Sequence, residues 1–303
     1  MTDLLAAVWR ANLMASLLIV LVIALRPLFR RWFGAEVAYG LWAAPPLAAL
    51  GAVLPARLAP ASANLLAASV PPPLSSSLQA GLLIAWGLGA AVVAGMFLLL
   101  YRRFLAETRK GAGGAAVVGV AVPRVVMPPD DGRYSVEERA LMRTHEREHI
   151  ARGDPLANAW MAAFQCLAWF NPLVHVGVAL ARLDQELACD ASVLRRNRRS
   201  KALYASTLLK AQLMQQAPPL VSCWAAGGRH PLEVRVGAMA RIGLGEGDAG
   251  PMLVTGLALI AAVCAWFAQP PAAPPGSSII WVPVEIHHQP PMSVLLIRVP
   301  APN

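Results

Sequence analysis

The chain has 303 residues, 57% of them hydrophobic and 14% charged, with a formal net charge of +9 and a mean hydropathy of +0.52. A soluble domain carries about 25% charged residues, so this composition excludes an ordinary soluble enzyme and points to a membrane protein. The surplus charge does not mark a nucleic-acid binder: most Lys and Arg lie between 102 and 241, intermixed with acids, and others at Arg26, Arg30 and Arg31, as in cytoplasmic loops under the positive-inside rule.

Four stretches are apolar enough to cross a bilayer, which takes about 20 residues: Leu4–Phe29, Val37–Pro55, Gly81–Tyr101 and the shorter Met252–Ala268. Arg10 sits near the outer end of the first, where a long side chain can snorkel. Pro45-Pro46 predicts a kink in the second. Asp3 is the only charge ahead of Arg10, so no basic region marks a signal peptide. Basic flanks follow the first span and the third, at Arg102, Arg103, Arg109 and Lys110. They place the N-terminus outside, 30–36 inside, 56–80 outside and 102–251 inside. The expected domains are therefore 1–101 with three spans, a cytoplasmic part at 102–251, a fourth span at 252–268 and an extracytoplasmic tail at 269–303. A multi-pass protein of the bacterial inner membrane is the expected setting, with lipid as a partner.

The cytoplasmic part opens on a flexible Gly111–Gly114 entry. Ala115–Met127, rich in β-branched residues but broken by Gly119 and Pro123, predicts two short strands, at least one near an edge. Ser135-Val136-Glu137-Glu138 is a capping box that starts a helix, and Gly153 can end it. The last turns of that helix read His145-Glu146-Arg147-Glu148-His149. Imidazoles four apart project from one helical face and can share a tetrahedral zinc, and Glu146 stands beside them as a general base.

Pro155–Ala181 follows, uncharged and long enough to be taken for another span. Asn171-Pro172 divides it, as a helix N-cap with Pro at the first helical position, and Asp154-Pro155 is the same signal one helix earlier. A single crossing would put His149 and Glu186 on opposite sides of the membrane. The segment therefore reads as two helices joined at Asn171-Pro172, packed in the domain core or against the bilayer. Helices are predicted over 172–196 and 201–216.

Glu186 is the best candidate for a third metal ligand. Asp190 lies one turn further on the same face, placed to orient a ligating His from behind. Cys189, three residues after Glu186, is not excluded by helical phase, but with a carboxylate at hand it reads better as a small buried residue. Cys166, Cys223 and Cys264 are widely spaced and form no Cys-x-x-Cys, so neither a disulfide framework nor a cysteine zinc site is indicated. His175, Arg182 and Tyr204 are candidate oxyanion stabilisers, with a core or interfacial role the favoured reading for each. The Arg195–Arg199 run reads as a solvated or headgroup-facing helix end. In the tail, after Pro270, Pro271, Pro274 and Pro275, stretches at Ile279–Ile286 and Ser293–Val299 alternate in a way that can pair as a hairpin.

These residues carry a family resemblance. Ala-Val-Val-Gly-Val-Ala-Val-Pro-Arg-Val-Val-Met-Pro at 116–128, His-Glu-Arg-Glu-His-Ile-Ala-Arg-Gly-Asp at 145–154, Trp-Phe-Asn-Pro-Leu-Val-His at 169–175, Asp-Gln-Glu-Leu-Ala-Cys-Asp at 184–190 and Tyr-Ala-Ser-Thr-Leu-Leu at 204–209 resemble the BlaR/MecR-type membrane metallopeptidases, the β-lactam sensor-transducers. The resemblance implies that His145, His149 and Glu186 bind zinc and that Glu146 is the catalytic base. It implies a receptor that senses a ligand outside through a penicillin-binding domain and acts on a cytoplasmic repressor. The residues after 268 hold no Ser-x-x-Lys and leave no room for such a domain, so β-lactam acylation is not expected of this sequence.

The expected fold is mainly α: a polytopic membrane protein with about four transmembrane helices and a cytoplasmic zincin-like (gluzincin) metallopeptidase domain with a small β element. The expected function is a zinc endopeptidase of a signal-transduction system, cleaving a cytoplasmic or juxtamembrane protein, a winged-helix repressor, or itself. A receptor with a structural zinc site and a housekeeping membrane-protein protease are the alternatives.

Overall fold

A computed structural model describes residues 2–54, 75–111, 114–196, 200–214, 231–239, 250–269, 277–282 and 295–300. Most of the outer loop expected at 56–80, part of the Gly111–Gly114 entry, the end of the Arg195–Arg199 run, Cys223 and the prolines at 270–275 lie outside the described residues.

The first helix, α1 (Thr2–Trp32), and α4 (Ser76–Arg109) are the two described helices long and apolar enough to cross a membrane. Ser75 caps α4 by accepting from the Leu78 amide at 3.4 Å, and Arg30 and Arg31 lie in the last turn of α1, where cations favour a helix C-terminus. The second expected span differs from its sequence reading. It is not one kinked helix but α2 (Ala35–Gly40), a 3₁₀ turn (Leu41–Ala43) and α3 (Ala44–Gly51). A proline ring clashes with the carbonyl four residues back, so the break falls in the turn before Pro45-Pro46, and the prolines occupy the first turn of α3, where a missing N–H costs nothing. The fourth stretch forms α10 (Gly250–Phe267). It packs closely on α3 through Ala48, Ala52 and Ala265, and Gln269 donates to the Gly51 carbonyl at 2.7 Å.

Two short strands, β1 (Ala116–Val118) and β2 (Arg124–Val126), pair antiparallel with Val117 opposite Val125. They lie against α5 (Val136–Ala151). The capping box at its start is complete: Ser135 accepts from the Glu138 amide at 3.1 Å, and the Glu138 side chain accepts from the Ser135 amide at 2.7 Å. Gly153 ends it with φ +74°, a left-handed conformation that glycine adopts without a Cβ penalty.

The apolar segment after α5 is two helices, α6 (Asp154–Leu167) and α7 (Pro172–Arg196), divided where the sequence indicates. Asn171 caps α7 by accepting from the Leu173 amide at 3.0 Å. Asp154 departs from its reading as a cap. Gly153 holds the N-cap position, and the Asp154 carboxylate turns back to α5. Helices α8 (Lys201–Met214) and α9 (Pro231–Met239) close a core of Leu141, Cys189, Val193, Leu194, Tyr204 and Met239. Strands β3 (Ser277–Val282) and β4 (Leu295–Pro300) form the tail hairpin.

Candidate metal centre

Helix α5 ends beside the middle of α7, and this juxtaposition assembles the site. His145 and His149, one turn apart, direct their Nε2 atoms to a common point, 3.2 Å from each other. Glu186 on α7 meets the same point from the facing helix. Its Oε2 lies 3.6 Å from His145 Nε2 and its Oε1 lies 3.6 Å from His149 Nε2.

The other ring nitrogens explain the orientation. His149 Nδ1 lies 2.7 Å from Asp154 Oδ2. A carboxylate only accepts, so Nδ1 carries the proton and Nε2 keeps its lone pair. His145 Nδ1 lies 2.8 Å from the Tyr204 hydroxyl. That hydroxyl donates its proton to Asp190 Oδ1 at 2.7 Å, so it accepts from His145 Nδ1–H and fixes the same tautomer. Two Nε2 lone pairs and one carboxylate thus converge with no proton between the imidazoles. Three electron-rich atoms in that arrangement fit a cation, and tetrahedral zinc with Zn–N bonds of about 2.0–2.1 Å would set its nitrogens roughly 3.3 Å apart.

The charges around the site keep Glu186 in the ionised form that a metal ligand needs, while they favour a proton on His149. Burial alone would raise the Glu186 carboxyl, but the Arg235 guanidinium and the two imidazoles hold it well below the usual carboxylate range. Burial alone would lower His149, but Asp154 and the nearby Glu186 charge outweigh it and raise the imidazole. Glu146 is raised by burial, with the imidazoles opposing and Glu186 adding.

Cys189 is the competing third ligand, since its sulfur groups with the two imidazoles. Its Sγ, however, lies 3.4 Å from His145 Nδ1 and 3.5 Å from the His145 carbonyl, behind the ring rather than at the Nε2 focus. Burial, with Glu186 and Asp190, raises the thiol well above its ordinary range, which opposes the thiolate that a metal needs. Glu186 is the better fit.

A family model described as BlaR1 peptidase M56 matches residues 6–80 and 107–239, more than half of the chain and every residue of the centre. The chain belongs to the BlaR1 peptidase M56 family. Over 99 residues it is 30% identical to the regulatory protein BlaR1 of Bacillus licheniformis, across 32% of this chain and 16% of that protein. Over 72 residues it is 29% identical to the methicillin resistance mecR1 proteins of Staphylococcus aureus and Staphylococcus epidermidis, across 23% of this chain and 12% of each. The matched stretch therefore spans less than a fifth of these curated relatives.

Within this M56 chain the residues expected to act together are brought together: His145, Glu146, His149, Glu186 and Asp190. Asp190 reaches His145 through Tyr204, since its own Oδ1 stays 3.7 Å from Nδ1. Tyr204, for which a core role was favoured, is buried but hydrogen-bonded to both. It stands on the Nδ1 side of the ring, away from the focus, so it is not placed to stabilise an oxyanion there. His175 bonds to Gln165 and to the Trp169 carbonyl and is likewise remote. Arg182 is exposed on α7, one turn before Glu186.

Three participants were not expected. Asp154 orients His149, and Arg152 reaches the same carboxylate at 3.4 Å. Arg235 on α9 donates from Nε and Nη2 to the two oxygens of Asp190, at 2.8 Å each, and its Nη1 lies 3.0 Å from Glu186 Oε2. A planar fork of this kind fixes both carboxylates at once. The sequence held one hint, since two acids on one buried helical face call for a cation.

Proposed function

We propose that the chain is a membrane-bound zinc endopeptidase of a signal-transduction system, cleaving a cytoplasmic or juxtamembrane protein, a winged-helix repressor, or itself. In this reading His145, His149 and Glu186 hold zinc and Glu146 is the general base. The observation that carries it is the convergence of two Nε2 lone pairs and the Glu186 carboxylate on one point, with each Nδ1 proton held by Tyr204 or Asp154. Three protein ligands with an open side favour catalysis over a structural site, which fills all four positions. The Glu186 side chain is 33% exposed, which leaves that approach to solvent and substrate. In this arrangement α1, the broken α2–α3 segment, α4 and α10 cross the inner membrane, with the peptidase part on the cytoplasmic side.

Zinc bound there would supply Lewis acidity, polarising a scissile carbonyl and making a water more acidic. Glu146 takes the proton of the attacking water and returns it to the leaving amine, and its raised pKa suits it to both steps. Asp154 and the Tyr204–Asp190 pair keep the two rings turned to the metal. Strand β1 lies against α5 and pairs on only one side among the described residues, so its other edge can align an extended peptide.

Metal analysis of the purified full chain tests the ligand set. One zinc per chain is expected in the native protein and in Cys189→Ala, and none in His149→Ala or Glu186→Gln. Zinc retained by Glu186→Gln but lost from Cys189→Ala would assign the third position to the thiol instead.

Asp154→Asn retains the ligands but weakens the hydrogen bond that sets the His149 tautomer. Zinc affinity should fall about 10–100-fold, as for other residues that orient a ligand, in competition with a calibrated chelator. An unchanged affinity would reduce Asp154 to a packing role.

A further inference from the structure

The outer face of α6 is the reverse of a soluble helix. Its exposed positions, continued into the turn, are Leu156, Trp160, Ala163, Leu167 and Phe170, three or four apart on one face. Trp160 is 70% exposed, and no Asp, Glu, Lys or Arg occurs between 155 and 181.

The hairpin is wedged between the two long apolar helices. α7 runs parallel to α1: Asn171 donates to Asn12 Oδ1 at 3.3 Å and Ser16 Oγ at 2.9 Å, Val174 packs with Ile19, and Asp184 pairs with Arg26 at 3.1 Å and Arg30 at 3.6 Å. On α4, Trp86 donates to the Leu167 carbonyl at 2.8 Å, and Trp169 donates to the Trp86 carbonyl at 3.1 Å. A Cβ on Gly89 would come within 2.1 Å of the Trp169 indole, so only glycine admits the turn this close.

Depth follows from register. Asn12 lies eight residues into the Leu4–Phe29 stretch and Trp86 five into Gly81–Tyr101, about 12 and 8 Å at 1.5 Å per residue. Both levels fall inside a hydrocarbon core of about 30 Å.

Four carbonyls at the turn between the helices are satisfied by protein. The Leu167 carbonyl accepts from Trp86, Ala168 from the Asn171 amide at 2.9 Å, Trp169 from His175 Nε2 at 2.9 Å and Asn171 from the Val174 amide at 3.2 Å. The Trp86 and His175 side chains add to the local bonds that any turn makes, and non-helical backbone at membrane depth persists only where protein satisfies it.

We propose that α6–α7 is a re-entrant hairpin that enters the bilayer from the cytoplasmic side, turns within the hydrocarbon core at Ala168–Asn171 and returns, with the Leu156–Trp160–Ala163–Leu167–Phe170 stripe against lipid acyl chains. Both halves of the metal centre then stay on one side of the membrane. Glu186, just beyond the Asp184 pair with Arg26 and Arg30, sits at headgroup level, so a scissile bond is met at the membrane surface. The inference rests on α1 and α4 being spans, as proposed above.

The test places a photoreactive p-benzoylphenylalanine singly at Trp160 and at Leu167 in the full chain, in vesicles of phosphatidylethanolamine and phosphatidylglycerol. Val92 of α4, 71% exposed, and Val136 at the start of α5, 85% exposed, are the controls. Illumination should give lipid adducts by mass spectrometry at Trp160, Leu167 and Val92, and none at Val136. Adducts at Val92 alone overturn the hairpin while leaving the spans intact. A crosslinked dimer in place of lipid at Trp160 and Leu167 assigns the stripe to a second copy and also overturns it. No adduct at Val92 sinks the reading of α4 as a span, and the inference with it. Using two stripe positions guards against one substitution that fails to fold.

Discussion

Glu146→Gln is expected to keep its zinc and lose proteolysis by about 10²–10⁴-fold, the usual worth of a positioned general base. Glutamine keeps the volume and polarity of the side chain, and Glu146 points to no metal ligand role in the site. No described side chain hydrogen-bonds its carboxylate, so its replacement orphans no buried partner. The measurement pairs metal content of the purified full chain with cleavage of an unfolded protein substrate, or of the chain itself, in vesicles. Loss of zinc in this variant would make Glu146 a ligand or a structural prop. Retention of both zinc and full cleavage would remove it from the chemistry.

Arg235→Leu should be the most destabilising single change at the centre, by about 3–5 kcal/mol, the cost of leaving buried charges without their partner. Arg235 and Asp190 are both buried, and the guanidinium serves Asp190 through two hydrogen bonds and Glu186 through a third contact. Burial disfavours the charged guanidinium, yet Glu186 and Asp190 outweigh it and raise the arginine further, and Arg235 in turn lowers the Glu186 carboxyl. A loss of this size is a large part of a typical folding free energy of about 5–15 kcal/mol. Arg235→Leu combined with Asp190→Leu should cost less than the sum of the two changes, since each single variant strands the other charge. Thermal unfolding of the solubilised full chain reads both effects. A single-variant loss below about 1 kcal/mol would falsify the claim that Arg235 anchors the two carboxylates.

The long apolar helix α1 and the α2–3₁₀ segment after it touch the same helix that carries Glu186. Asp184 pairs with Arg26 and Arg30 and accepts from the Trp42 indole at 2.8 Å, and Gln185 donates to the Tyr39 hydroxyl at 2.9 Å. Three consecutive residues of α7 thus face α1 and the 3₁₀ turn, α2, and the metal centre. Glu36 at the start of α2 also accepts from Ser192 and pairs with Arg195. A shift of these segments would reach Glu186 through α7.

The sequence by itself determined the elements around the centre, because the signals for them are local. Ser135 and Glu138 start α5 and Gly153 stops it, Asn171-Pro172 divides the apolar segment, and Gly119 and Pro123 break the strand run, each by chemistry within four residues of the boundary. The pairing of His145 with His149 needed only helical spacing, whereas Glu186 was one candidate among its helix neighbours, Cys189 included, until α7 set its carboxylate beside both Nε2 atoms. The limits lay where the deciding partner is distant in the chain. Asp154, one residue before a proline, is locally indistinguishable from a helix cap, and only the return of α6 past α5 turns its carboxylate to His149. Arg235 follows Asp190 by 45 residues, and no periodicity ties them. The depth of the α6–α7 hairpin was likewise closed to sequence reading, since an uncharged run suits a protein core and a bilayer equally. The proposed depth rests on contacts of its turn with Asn12 and Trp86, because the long helices that carry those residues set the scale against which depth is measured.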